Sequence, residues 1–325
     1  MSCYNLIGLP ATSEFTIVQC EVLLHEIIDK PSSQCTADAR CIANTRKERE
    51  ALNLVDRTFS IFFQKSLGVK MSIYRMPKAD RLKLVETINH DIREAFNQED
   101  VDVIEKYFSD EDTYIRKNAY EAVARIYHDD ASKHDLIIKM IDVLLETGAV
   151  KVRKSAVHAL GEIGRFDSSK IMELLGRSLS DESKIVNDAV IGALKRMGEK
   201  NPEPTLTFAR TFLHHPKPVI RREIVHGIEL RGRTHPKEIL PLLKELQDEK
   251  DSRVRKMIVH VVAQCSYKKG CIEIVLEMLK KWHDEILVSQ ILNEILKVHE
   301  SYKNFAAKSV AQARNSINDF IANRT

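Results

Sequence analysis

Glycine and proline are scarce, at 11 and 9 in 325 residues, roughly half of ordinary usage. So few turn residues exclude an all-β chain and a loop-rich disulfide scaffold. Aromatic residues make 6% of the chain, with a single tryptophan, too few for extensive stacking on bases. Neither sign of charge dominates: 50 Lys+Arg against 47 Asp+Glu leaves +3. That balance provides no global basic field, so any anion-binding surface is local. No apolar run approaches the ~18 residues of a spanning helix. The first basic residue is Lys30, so no charged segment precedes an apolar one and no secretory signal is expected. Cys3, Cys20, Cys35, Cys41, Cys265 and Cys271 form no Cys-x-x-Cys pair, and reduced thiols in a cytoplasmic protein are the expectation. His-Glu-x-x-His, Gly-x-Ser-x-Gly and phosphate-cradling glycine loops are all missing.

What is present is a repeat. Val152-Arg153-Lys154-Ser155-Ala156-Val157-His158-Ala159-Leu160 aligns with Ile220-Arg221-Arg222-Glu223-Ile224-Val225-His226-Gly227-Ile228 and with Val254-Arg255-Lys256-Met257-Ile258-Val259-His260-Val261-Val262. The copy between the first two starts at Val186, an earlier one at Ile115, and a frayed one spans Val288 to Leu296. Each copy reads as the second helix of an amphipathic pair. The first helices are expected at Val101–Phe108, Leu136–Leu145, Lys170–Leu179, Pro204–Leu213, Glu238–Leu246 and Ile272–Trp282. Val152, Ala156, Ala159 and Ile163 fall on one face at helical spacing. A single pair cannot bury that stripe, whereas stacked neighbours bury it continuously. The expected fold is therefore an all-α superhelix, a solenoid of about six helix pairs.

The run Val152 to Gly164 resembles the core of a HEAT repeat, of the short bacterial kind also found in phycobilin-lyase-like proteins. The resemblance covers about residues 98–300. It implies a right-handed array with the second helices lining the concave surface. It also implies a ladder between repeats, with an acid six residues before each arginine. Asp110, Asp181 and Glu249 are the acids, and Arg116, Arg153, Arg221 and Arg255 the arginines. Thr147 and His215 interrupt the acidic side and Asn187 the basic side. HEAT-fold di-iron hydroxylases place His-Glu at the head of the second helix, where this chain has Lys154-Ser155 and Arg222-Glu223. HEAT-like DNA alkylation repair glycosylases are a more distant likeness. They line the concave face with tryptophans and an aspartate, and Trp282 alone does not reproduce that set. Trp282 is expected to pack, and Cys265 and Cys271 to be inert.

A helix over residues 78–97 is expected to lead into the array. One over 302–322, with Phe305, Val310, Ala313 and Ile317 on one side, is expected to close it. Residues 1–70 lack the repeat and are expected to form a helical extension, with helices at about 13–29 and 37–66 around the break at Lys30-Pro31-Ser32-Ser33. Met71 or Met76 is an alternative start.

The basic doublets Arg116-Lys117, Arg153-Lys154, Arg221-Arg222 and Arg255-Lys256 are expected in the first turn of their helices, where the macrodipole opposes them. The second residue of each points away from the apolar stripe. One turn on, Lys154/His158, Arg222/His226 and Lys256/His260 share a face, interrupted by Asp188/Gly192. Lys117, Lys154, His158, Arg222, His226, Lys256 and His260 thus form an expected solvent-facing stripe that gains charge below about pH 6.5. The expected role is a non-enzymatic adaptor whose concave face takes a protein partner with an acidic segment. The alternative is a nucleic-acid-binding solenoid related to the alkylation repair glycosylases. No cofactor, metal or membrane is expected.

Overall fold

A computed structural model describes residues 76–324, together with Ile73. The expected helices at about 13–29 and 37–66, and the four cysteines before residue 70, lie outside the described residues. The chain divides into two units, Met1–Arg75 and Met76–Thr325, and the second is described here.

Among the described residues every long regular element is an α-helix. In chain order they are α1 (Lys78–Gln98), α2 (Val101–Ser109), α3 (Thr113–Asp129), α4 (His134–Thr147), α5 (Val150–Ile163), α6 (Met172–Ser178), α7 (Lys184–Lys200) and α8 (Pro202–Phe212). There follow α9 (Pro218–Gly227), α10 (Glu229–Gly232), α11 (Pro236–Lys244), α12 (Ser252–Gln264), α13 (Cys271–Leu279), α14 (Glu285–Ser301) and α15 (Val310–Ala322). Their starts are written locally. Asp100, Asp112, Asp251 and Asp284 each accept a backbone N–H of the first turn that follows, a cap contributing about 1 kcal/mol. Pro202, Pro218 and Pro236 open α8, α9 and α11, where a missing N–H does no harm.

Pairs α2/α3, α4/α5, α6/α7, α8/α9, α11/α12 and α13/α14 are the six repeats, preceded by α1 and closed by α15. The array is an all-α, HEAT-like solenoid. The leading helix α1 and the second helices α3, α5, α7, α9, α12 and α14 each pack on the next, whereas successive first helices meet less extensively. The second helices thus form one continuous layer, called the inner layer below after the concave side that the HEAT resemblance assigns to it. Val152, Ala156, Ala159 and Ile163 are all buried, within one cluster running from Ile88 to Phe320. Layer spacing is tight at Gly161, where a Cβ would lie 2.7 Å from the Ala193 Cβ.

Three details depart from expectation. The first helix of the third repeat is short, starting at Met172 rather than Lys170. The second helix of the fourth repeat is interrupted at Ile228 (φ −88°, ψ −3°), which separates α9 from α10. The closing helix begins at Val310, not 302, because a capping box joins Ser309 and Gln312. Residues before it are pinned instead by the Ala307 N–H on the Tyr267 carbonyl at 2.8 Å. Phe305 consequently leaves the packing face and is 70% exposed, while Ala313 and Ile317 are buried.

Candidate functional site

The basic doublets occupy the fourth and fifth residues of α3, α5, α9 and α12, just past the first turn where they were expected. The macrodipole fades over that turn, so its opposition is weaker than the sequence suggested. The first member of each doublet serves the junction between repeats. Arg153 Nε and Nη2 grip Asp181 at 2.8 and 3.0 Å while Nη1 donates to the Gly148 carbonyl. Arg221 does the same with Glu249 at 2.6 and 2.7 Å and with the His215 and Pro216 carbonyls. Arg255 bonds the Gln247 and Glu249 carbonyls and pairs with Asp284 at 2.8 Å. The acid is thus supplied by the following repeat, and Asp284 takes the place that the register assigns to His283.

Two junctions lack this rung. Arg116 reaches the Asp110 and Glu111 carbonyls and Thr113. Asn187 replaces the arginine and its amide donates to the Ser178 and Asp181 carbonyls at 3.1 Å. Asp110, expected as a ladder acid, accepts the Asp112 N–H at 2.7 Å and so shapes its own loop.

The expected solvent-facing stripe is only partly so. Lys117 is exposed, 3.7 Å from Glu121, Lys256 is exposed and Lys154 half-buried. Arg222 instead pairs with buried Glu223 at 2.8 Å. Burial, opposed by Arg222, raises the Glu223 pKa. The histidines turn sideways to the next helix. His158 Nδ1 accepts from Arg196 Nη2 at 3.1 Å and its ring lies 5.2 Å from that of Tyr120. Burial first, then Arg196, Lys154 and Arg116, bring the His158 pKa down to about 3. This histidine stays neutral below pH 6.5, contrary to the sequence expectation.

His226 and His260 converge on a residue the repeat alignment passes over, Glu229 at the start of α10. Its Oε2 lies 2.9 Å from Lys195 Nζ, 3.2 Å from His226 Nε2 and 3.8 Å from His260 Nε2, and Arg233 binds Oε1. Burial raises the Glu229 pKa, but the His226, His260 and Lys195 side chains gathered around it outweigh that and hold the carboxyl well below the usual range. A second knot lies along the layer, where Glu162 meets Arg165 at 2.7 Å and Arg196 at 2.8 Å. Lys195 and Arg196 hold both knots from α7. The inner layer is therefore a row of cross-linked charges from which Lys117, Lys154 and Lys256 project.

Elsewhere, Trp282 is buried beside α13. Cys265 and Cys271 are buried free thiols, and burial raises both pKa values. His214 pairs with Glu245 at 3.0 Å, and the His215 ring accepts the Lys217 N–H. Among the described residues no group of three or more His, Cys, Asp or Glu is placed to hold a metal ion. Nor is any helix there long and apolar enough to cross a membrane.

Residues 92–189 match the family described as non-SMC mitotic condensation complex subunit 1. No curated protein matches the chain. Among solved structures, AlkD2 from Streptococcus mutans is 18% identical over 62% of this chain and 98% of its own, with a TM-score of 0.47. A structure described for its TOG–tubulin binding specificity is 13% identical over 74% and 96%, at 0.42. A designed armadillo repeat protein in complex with the peptide (KR)4 is 17% identical over 60% and 99%, at 0.31.

Proposed function

We propose that this chain is a non-enzymatic adaptor whose inner layer of second helices takes an extended acidic segment of a protein partner. One observation carries the reading: Lys154 and Lys256 project from equivalent positions of α5 and α12, and neither has an anionic partner among the described residues. Every other inner-layer cation of α5, α7 and α9 discussed above is already committed to a neighbour. Cations kept free on a surface otherwise wired for internal pairing are available to charge-assisted hydrogen bonds with carboxylates. The match over residues 92–189 to a subunit of a condensation complex supports a role within an assembly.

The test is fluorescence anisotropy with a labelled oligoglutamate peptide, beside labelled duplex and single-stranded DNA, from about 50 to 200 mM salt. The variant is Lys117→Glu, Lys154→Glu, Lys256→Glu. Arg222 is left intact because its loss strands buried Glu223. Peptide binding that the variant loses at an unchanged melting temperature supports the adaptor. Steeply salt-dependent DNA binding without peptide binding overturns it in favour of a nucleic-acid role.

A further inference from the structure

On the side formed by the first helices, α6 and α8 scarcely meet, whereas α7 and α9 behind them pack closely. The repeat register aligns Gly176 of α6 with Asp142, Arg210 and Lys244, so α6 alone of these four helices carries no side chain at that position. The Phe212 ring of α8 comes close instead: a Cβ on Gly176 would lie 3.1 Å from its Cζ. Phe208 stands next to Phe212, with ring centroids 4.8 Å apart. Beside these rings lie two open concavities of about 430 and 670 Å³, which share Met172 and Phe208 and are walled mostly by apolar atoms. We infer that this groove docks Phe305 of a second copy of the chain. The inference is independent of the adaptor reading, whose lysines stand on the other layer.

Phe305 is the most exposed large apolar side chain among the described residues, at 70%. Its turn is fixed: the Phe305 and Ala306 N–H groups both donate to the Tyr302 carbonyl, at 2.7 and 2.8 Å, and Ala307 donates to Tyr267. A ring presented on a fixed turn loses little freedom on docking. The other strongly exposed apolar groups fit the groove less well. Phe166 is already covered by Arg165, 5.6 Å from its ring centroid, and meets the His128 ring edge-on. Ile286 follows Asp284 and Glu285, acids that the groove would repel.

The groove itself is banked by carboxylates. Glu173 of α6 and Glu203 of α8 line it, both exposed and neither in an ion pair among the described residues. Arg177, the cation on the same bank, is engaged by Asp142 and Glu146. Near Phe305, Lys303 is exposed and pairs with no acid among the described residues, Glu300 three residues earlier included, whereas Lys308 is held by Glu273 at 2.6 Å. A ring with a free ammonium beside it thus meets an apolar groove with free carboxylates on its banks. Inside the groove the ring gains aromatic and thioether neighbours in Phe208, Phe212 and Met172, and an apolar cavity of about 150 Å³ already takes benzene.

The groove belongs to the third and fourth repeats and Phe305 follows the sixth, so the stacked array keeps the two apart within one copy. Ring and groove are different surfaces, and copies therefore join head to tail rather than about a two-fold axis. One aromatic anchor makes an interface at the weak end of the size range.

The test is sedimentation velocity of the full chain over rising concentration. The expected result is reversible growth past a dimer. Phe305→Asp removes the ring, Gly176→Arg fills the groove with the residue that the register holds in the next repeat, and each variant alone should stay monomeric. Thr207→Arg, at an exposed position on the opposite bank, should do the same and serves if Gly176→Arg melts below wild type. An equimolar mixture of the ring variant and a groove variant holds one intact ring and one intact groove. It should recover a one-to-one dimer that grows no further. A wild-type chain that stays monomeric, association that Phe305→Asp retains, or a mixture without the dimer overturns the inference.

Discussion

Arg153 and Asp181 are joined by two parallel hydrogen bonds, 2.8 and 3.0 Å long, across the junction between the second and third repeats. Both side chains are 12% exposed, so the pair is shielded from solvent and salt more than a surface bridge is. The same guanidinium closes the Gly148 loop. One side chain thus fixes the turn inside its own repeat and the spacing to the next.

Arg153→Ala is expected to lower stability by about 2–3 kcal/mol, since charged hydrogen bonds and a carbonyl are lost together. Arg116→Ala should cost less, because Arg116 reaches carbonyls and Thr113 but no following acid. Arg153→Lys should recover only part of the loss, since an ammonium cannot reproduce the fork. Urea denaturation of the three variants checks the order.

Glu229→Gln should destabilise the fold by about 3 kcal/mol or more near neutral pH, because Lys195 and Arg233 lose their buried counter-charge. The folded carboxyl titrates well below its unfolded value. The stability it contributes is therefore complete above about pH 4.5 and lost as pH falls towards the folded pKa. The gap between wild type and variant should shrink below that pH by about 1.4 kcal/mol per unit. Denaturation midpoints at neutral and acid pH read this directly, and a gap independent of pH would sink the assignment.

Gly161 and Gly198 should respond oppositely to alanine. At Gly161 the new methyl meets the Ala193 Cβ at 2.7 Å and its Cα at 2.8 Å. Neither can rotate away, and α5 and α7 must part at a cost of about 1–3 kcal/mol. At Gly198 the nearest atom is 3.6 Å away, and Gly198→Ala should gain up to about 1 kcal/mol from helix propensity. Thermal melts of the two variants should bracket the wild type.

The repeat architecture was legible because a period near 34 residues survives in the apolar stripe and in the arginine that follows its first member. Rung partners were legible where the register holds, at Asp181 and Glu249. Asp284 was missed, since it stands one residue off the pattern. The inner network was not legible. Glu162 and Arg196, like Lys195 and Glu229, stand 34 residues apart at equivalent positions of neighbouring repeats, but the residue type changes sign from one repeat to the next, so a search for recurring residues passes over them. His158 likewise looked solvent-facing on its own helix, whereas Arg196 comes from the next one. The dipeptide Lys195-Arg196 on the stripe-bearing helix, one period after Glu162 and one period before Glu229, was the available signal.

The rungs stitch three of the five junctions between repeats: second to third, fourth to fifth and fifth to sixth. At the third-to-fourth junction the fastening moves to the inner layer, where Lys195 of α7 holds Glu229. Pulled end to end, such an array yields first where the loop-edge seam is open. The expectation is of stiffer blocks joined by more compliant joints, with any change of pitch concentrated at the joints.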